Sequence, residues 1–191
     1  MARKSRRDEL LAAALAAFTA QGYEGTSVAD IVAALGMSKA AFGYHVESKE
    51  RLLVELVEPL LDDLDRVLDA FPHHPSWPDQ GRAMLLAYLD VLIAHRDLVI
   101  WIDGDKAVLR HPILGKRLSE SNRRIRESIR GDDRSSAARL GASAALGALW
   151  RPLRNLPEVP AHDERDAMLS AAMAVVGTVR PVRPETSEQG G

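Results

Sequence analysis

The sequence predicts an all-α fold of about nine helices. Apolar residues recur at helical spacing along most of the chain: Val28, Ile31, Val32 and Leu35 fall at i, i+3, i+4 and i+7 and share one helix face. Serines stand where helices are expected to begin, and Gly36 follows the last residue of this first pattern. We therefore expect short, capped helices at the N-terminus and longer amphipathic helices after them.

Composition and charge restrict the class of protein. The chain has 191 residues, of which 46% are hydrophobic and 27% charged, as in soluble globular proteins. Its net charge is −2, so any contact with nucleic acid must come from a local basic patch. The absence of cysteine excludes disulfides and thiolate chemistry. No apolar run approaches the roughly 18 residues of a membrane span, so we expect a cytoplasmic protein.

The first seven residues are basic and contain no acidic residue. The basic side chains are Arg3, Lys4, Arg6 and Arg7. They form either a solvated tail or an arm that reaches phosphates or a minor groove. From Asp8 the pattern becomes helical, and its apolar stripe runs to Phe18 and ends near Gly22.

A helix-turn-helix pattern follows. Ser27 is the expected N-cap of its first helix, with Asp30 three positions on, and Gly36 is expected to end that helix in a left-handed conformation. Ser38 can cap a second helix to about residue 46, and Ser48 can cap a third. Two capped helices joined by a three-residue turn are typical of proteins that read DNA with the second helix.

These residues resemble the N-terminal domain of the TetR family of bacterial transcriptional regulators. The resemblance covers roughly residues 6–56, and its motifs are Gly22-Tyr23, Thr26-Ser27-Val28, Asp30-Ile31, Leu35-Gly36, Ser38-Lys39, Tyr44-His45-Val46 and Ser48-Lys49-Glu50. It implies a DNA-binding head at residues 1–50 and a ligand-binding, dimerising body at 51–180, followed by a disordered tail at 181–191. The implied function is a repressor that a small-molecule ligand releases from a palindromic DNA operator.

The second helix of the motif departs from the family pattern. Gly43 stands where an aromatic residue is usual, so direct base reading is expected to be sparse. The predicted DNA contacts are Arg6, Thr26, Ser27, Ser38, Lys39, Ala40, Ala41, Tyr44, His45 and Lys49. By resemblance, Tyr44 and Lys49 hold phosphates. His45 has no second ligand at helical spacing, so we predict no metal site and no cofactor.

The body is predicted to begin with a long helix that runs from Ser48 across Pro59 to Phe71. Pro59 is interpreted either as a hinge or as a packed bend. The further expected helices cover residues 80–94, 98–102, 113–131, 137–153 and 163–179. The second half of the 113–131 helix is basic and is interpreted as a solvated face, with phosphate contact as the alternative. Helices 137–153 and 163–179 are rich in small and apolar residues, and we predict that they pair with their copies in a homodimer.

The resemblance also implies a pocket for a small molecule in the body. Its predicted residues are Met84, Tyr88, His95, Trp101, Asp105 and Trp150. The chemistry of the ligand stays open, although a buried Asp103 or Asp105 would favour a cationic group.

The sequence leaves open two alternatives to an inducible regulator. One is a constitutive DNA-binding protein without an inducer, and the other is a metabolite-binding helical protein, either an enzyme or a carrier. The sequence contains no nucleophile elbow, phosphate loop, metal-spaced histidine pair or paired-carboxylate motif. We therefore predict that the protein is not an enzyme.

Overall fold

A computed structural model describes residues 5–37 and 48–180 of the chain, and within these ranges it forms nine α-helices and no β-strand. The helices are α1 (Arg6–Gly25), α2 (Val28–Ala33), α3 (Lys49–Ala70), α4 (Asp79–Ala94), α5 (Arg96–Gly104), α6 (Ala107–Arg110), α7 (Pro112–Arg130), α8 (Ser136–Asn155) and α9 (Arg165–Val179). The predicted all-α fold is confirmed. None of the described helices is long and apolar enough to cross a membrane.

The first two helices begin with a capping box, which explains their boundaries. In α1 the Ser5 hydroxyl accepts the Asp8 backbone N–H at 3.1 Å and the Asp8 carboxylate accepts the Ser5 N–H at 3.0 Å. The helix therefore begins at Arg6, earlier than the Asp8 predicted from periodicity. In α2 the predicted cap is confirmed, because the Ser27 hydroxyl accepts the Asp30 N–H at 3.2 Å. Gly36 adopts φ +61°, as its position predicted.

Helix α3 connects the N-terminal helices to the body. The Ser48 hydroxyl accepts the Arg51 N–H at 3.0 Å, which confirms the predicted cap. The helix then continues for 22 residues through Pro59, whose side chain is exposed. Its buried face consists of Leu52, Leu53, Val57, Leu60, Leu61, Leu64 and Leu68. The role of Pro59 as a hinge stays a prediction.

The remaining six helices form the body around one continuous apolar core. The sequence did not predict α6, because four residues are too few to show a helical period. Helix α7 follows at once: Pro112 is its first residue, and the ring of His111 caps it by accepting the Ile113 and Leu114 N–H groups at 3.3 and 3.2 Å. Helices α6 and α7 therefore form a tight corner.

Gly115 permits the close approach of α6 to α7. A Cβ atom at this buried position would lie 2.9 Å from the Leu109 carbonyl carbon and closer still to its oxygen. At Gly104, by contrast, a Cβ atom would meet nothing within 4 Å. The two glycines make a matched pair for a test of this packing.

We predict that Gly115→Ala lowers the free energy of unfolding by about 1–3 kcal/mol, because the added methyl group overlaps backbone and forces α6 away. Urea unfolding followed by circular dichroism measures the change. Gly104→Ala is the control, with an expected change below about 1 kcal/mol. Equal effects of the two substitutions would contradict the close approach.

Candidate functional site

The N-terminal helices contribute one part of the continuous apolar core. Ile31 and Val32 of α2 are 5% exposed or less, and α2 packs against α1. The other buried apolar residues of this part are Leu10, Ala14, Phe18, Leu52 and Leu53. The Arg7 guanidinium also donates to the Glu55 carboxylate at 3.0 Å, which links α1 to α3 on the surface. Helix α2 therefore has a defined position in the head.

Two backbone hydrogen bonds close the end of α2, just before the second helix of the predicted motif. The Gly36 N–H donates to the Ala33 carbonyl at 3.1 Å, and the Met37 N–H donates to the Val32 carbonyl at 2.9 Å. These bonds close the helix and turn the chain at Gly36. Six predicted DNA contacts follow the turn and lie outside the described residues: Ser38, Lys39, Ala40, Ala41, Tyr44 and His45. Their roles stay predictions.

Lys49 ties the loop between α1 and α2 to the start of α3. Its ammonium group donates to the Tyr23 carbonyl and to the Thr26 carbonyl, both at 2.9 Å, and lies 4.3 Å from the centre of the Tyr23 ring. Two of the three ammonium hydrogens are thus used inside the protein. The phosphate contact of Lys49 would use the third hydrogen, and it stays a prediction.

Thr26, one of the predicted DNA contacts, has a buried side chain. It is 2% exposed, and its hydroxyl lies 2.8 Å from the Gly22 carbonyl and 3.2 Å from the Ala17 carbonyl. The side chain therefore supports the head from inside, and the DNA contact of Thr26 stays a prediction. Ser27 and Arg6 are exposed; Ser27 caps α2, and Arg6 pairs with Glu9 at 2.8 Å.

We predict that Lys49→Met lowers the free energy of unfolding by about 1–3 kcal/mol, because two carbonyls lose a charged donor while the stem of the side chain is retained. Urea denaturation measures the change. Lys116→Met, an exposed site on α7, is the control and should unfold like the wild type. If both variants unfold at the same urea concentration, the Lys49 contacts do not stabilise the head.

Two contacts join the head to α5 of the body. The Tyr23 backbone N–H donates to the Asp105 carboxylate at 2.6 Å, and the rings of Phe18 and Trp101 stack with their centres 5.5 Å apart. The other oxygen of Asp105 accepts the Ala107 N–H at 2.8 Å, which orients the carboxylate. We call these contacts, Tyr23–Asp105 and Phe18–Trp101, the head–body joint.

Trp101 and Asp105 were predicted as pocket residues, and the structure places both of them in the head–body joint. Neither residue is among those that line the cavity of the body described below, and their role in ligand binding stays a prediction. Trp101 is 4% exposed and stacks on Phe18 of the head. Its indole N–H is buried without a hydrogen-bond partner among the described residues.

The body contains a cavity of about 350 Å³ between α3, α4, α5, α6, α7 and α8. This volume lies within the range of about 300–1,000 Å³ that is usual for small-molecule sites. The residues that line it are Leu60, Leu64, Tyr88, Leu92, Val99, Ile102, Asp103, Leu109, Leu118, Asn122, Arg126, Ser143, Leu146 and Trp150. The cavity is thus mainly apolar, with its polar groups contributed by α4, α5, α7 and α8.

Two of the predicted pocket residues, Tyr88 and Trp150, line this cavity; their role in binding stays a prediction. Met84 is 1% exposed but lies in the core and is not among the lining residues. His95 lies at the junction of α4 and α5, where its ring bonds to the Asp63 carboxylate of α3 at 2.8 Å. This bond is the main reason that the pKa of Asp63 is lowered.

The polar groups of the cavity differ in their partners. Asp103 forms an ion pair with Arg154, so its charge is compensated within the protein. Burial raises the pKa of the Tyr88 hydroxyl, which therefore stays protonated, although the nearby Arg126 charge opposes this shift. Arg126 was not among the pocket residues predicted from the sequence. The signal was present, because Leu118, Asn122 and Arg126 follow one another at four-residue spacing along a single helix edge.

Comparison with known proteins places the sequence similarity in the N-terminal part. A family model described as bacterial regulatory proteins, tetR family, matches residues 10–56. The transcriptional repressor DhaR of Mycobacterium sp. (strain GP1) is 33% identical over 82 residues, which are 43% of this chain and 41% of DhaR. The repressor KstR2 of Rhodococcus jostii is 37% identical over 62 residues, 32% of this chain and 30% of KstR2. The chain thus matches less than half the length of each curated relative.

Similarity to solved structures extends over nearly the whole chain. SCO3833, a TetR transcriptional regulator family member from Streptomyces coelicolor, is 25% identical with a TM-score of 0.69, covering 94% of this chain and 95% of that one. The ketosteroid transcriptional regulator KstR2 of Mycobacterium tuberculosis is 19% identical with a TM-score of 0.71, covering 93% and 96%. The helical body, as well as the head, therefore has counterparts in known folds.

Proposed function

The chain belongs to the TetR family of bacterial regulatory proteins, and we propose that it is a transcriptional repressor that a small molecule releases from DNA. The observation that carries this proposal is the capped α2 followed by the turn at Gly36, held in place by Lys49. The sequence predicts that the residues after this turn, 38–46, form the segment that enters the major groove. The relatives named as repressors favour repression over activation.

We propose that the repressor acts as a homodimer on a palindromic operator. Two heads related by twofold symmetry would reach successive major grooves about 34–36 Å apart. Helices α8 and α9 support this proposal, because they pack on each other and leave apolar and small side chains exposed. On α8 these are Leu140, which is 71% exposed, and Ala144; on α9 they include Ala171 and Ala174. A face of this kind allows helices of a second copy to approach closely.

We predict that Ala174→Arg converts the dimer to a monomer, because a long charged side chain would be buried in the proposed interface. Sedimentation velocity measures the change. Ala83→Arg, an equally exposed alanine on α4, is the control and should remain dimeric. A wild-type monomer, or an Ala174→Arg dimer as tight as the wild type, would overturn the proposed interface.

The cavity and the head–body joint share helix α5, and we propose that ligand binding causes release from the operator through this helix. Val99 and Ile102 of α5 line the cavity, while Trp101 and Asp105, on or beside the same helix, contact the head. A ligand that displaces α5 therefore changes the position of the head. The ligand must bind the released state more tightly than the DNA-bound state. A hundredfold difference in affinity corresponds to about 2.7 kcal/mol.

The constitutive alternative requires the basic half of α7 to contact phosphates. In the described part of the chain, however, three of its arginines are paired with carboxylates. Arg123 pairs with Glu120 and Glu127, Arg124 with Asp69, and Arg130 with Glu127. Such compensated charges add little attraction to DNA. This pattern favours the inducible regulator.

We predict that the purified protein selects one palindromic sequence from a library of genomic DNA fragments, and that a Lys39→Ala, Tyr44→Ala double variant loses it. Both substitutions remove predicted contacts of the second helix. Sequencing of the bound fragments measures the selection. Lys106→Ala, an exposed site in the body, is the control and should recover the same palindrome. Recovery of no enriched sequence, or equal selection by the double variant, would overturn the proposed DNA reading.

A further inference from the structure

The cavity contains one uncompensated charge. Of its two ionised side chains, Asp103 is paired with Arg154, whereas Arg126 has no hydrogen bond or ion pair with any residue that the structure describes. Arg126 is half-buried on α7, at the point where the cavity meets α8. A half-buried guanidinium without an anionic partner attracts an anion more strongly than one that lies fully in water. The cavity therefore favours a ligand that brings a negative charge.

Neutral hydrogen-bond groups lie in the same cavity. Tyr88 is 2% exposed, and its hydroxyl has no hydrogen-bond partner among the described residues. Because burial raises its pKa, this hydroxyl is available as a donor. The Asn122 amide lies one helical turn before Arg126 and lines the cavity as well. An acceptor with several oxygen atoms would satisfy this set of donors.

The position of Arg126 also predicts how the ligand is oriented in the cavity. Arg126 and Ser143 line both the cavity and an open groove of about 620 Å³ between α7 and α8. Arg139 adds a positive charge to this groove, whereas Arg130 is paired there with Glu127. Leu60 and Leu64 of α3 line the cavity but not the groove, so the part of the cavity away from the groove includes apolar wall. The charged end of a ligand therefore belongs at the groove and the hydrocarbon end inside.

From these observations we propose that the cavity binds an amphipathic organic anion, whose carboxylate or phosphate group is held by Arg126 and whose hydrocarbon body lies among the leucines. This inference rests on the proposed function, in which the cavity holds the inducer. The guanidinium can form two parallel hydrogen bonds to either anionic group. A cationic ligand, which a buried Asp103 would have favoured, is disfavoured because Arg154 already neutralises Asp103.

Isothermal titration with four ligands that share one hydrocarbon chain tests the proposal: decanoate, decyl phosphate, decanol and decylammonium, all below the concentration at which they form micelles. We expect the better of the two anions to bind the full-length protein at least about tenfold more tightly than decanol or decylammonium. Comparison of decanoate with decyl phosphate identifies the preferred headgroup. Binding of decanol or decylammonium as tightly as both anions, or no binding of any probe, would overturn the proposal.

Two variants on α7 separate the charge of Arg126 from the general charge of the helix. Arg126→Gln should weaken binding of the anion about tenfold or more while decanol binds as before, which shows that the cavity is intact. Lys116→Gln removes one positive charge outside the cavity and should bind the anion like the wild type. Unchanged anion binding by Arg126→Gln would overturn the assignment of Arg126.

Operator binding by the same proteins distinguishes this inference from the proposed function. If the anion binds through Arg126 and releases operator DNA, both are supported. If it binds through Arg126 without releasing the operator, the ligand class stands and the inducer role is overturned. If decanol releases the operator as well as the anion does, the regulator stands and the ligand class is overturned.

Discussion

Burial of the apolar face of α3, from Leu52 to Leu68, holds the head and the body together. Leu52 and Leu53 pack into the head, and Leu60 and Leu64 pack into the body, with no break in the helix between them. The same leucines of the body form part of the cavity wall. Because one helix packs in both parts of the core, it provides a route by which a displacement at the cavity end can reach the head.

Helix α5 forms the second connection between the head and the body, and this position accounts for its largely apolar composition. One of its faces carries Trp101 toward the head, and another carries Val99 and Ile102 toward the cavity. A helix buried on two sides has little polar surface, as the run of residues 98–102 indicated. The carboxylate of Asp105, just beyond its end, then bonds to the backbone of Tyr23. Helices α3 and α5 therefore each contact the head and also line the cavity.

Most arginines of α7 are paired with carboxylates, and Arg126 is the exception among those that the structure describes. Arg117 bonds to Asp62 and Asp65, and these pairs hold α7 against α3. Each such pair contributes little stability where water reaches it, about 0–1 kcal/mol. In the basic second half of α7, the pairs of Arg123, Arg124 and Arg130 with carboxylates neutralise most of the positive charge. The guanidinium of Arg126 is left toward the cavity and the groove, where a ligand can reach it.

The all-α class, the caps at Ser27 and Ser48 and the turn at Gly36 could be predicted from the sequence, because capping and helical periodicity act between residues at most four positions apart. Contacts between distant segments leave no such local pattern. The contacts of Trp101 and Asp105 with the head became visible only in the folded chain, since the direction of a side chain on a largely apolar helix depends on the helices packed against it. The same holds for Asp103, which is compensated, and Arg126, which is not, because ion pairing between helices depends on how they pack.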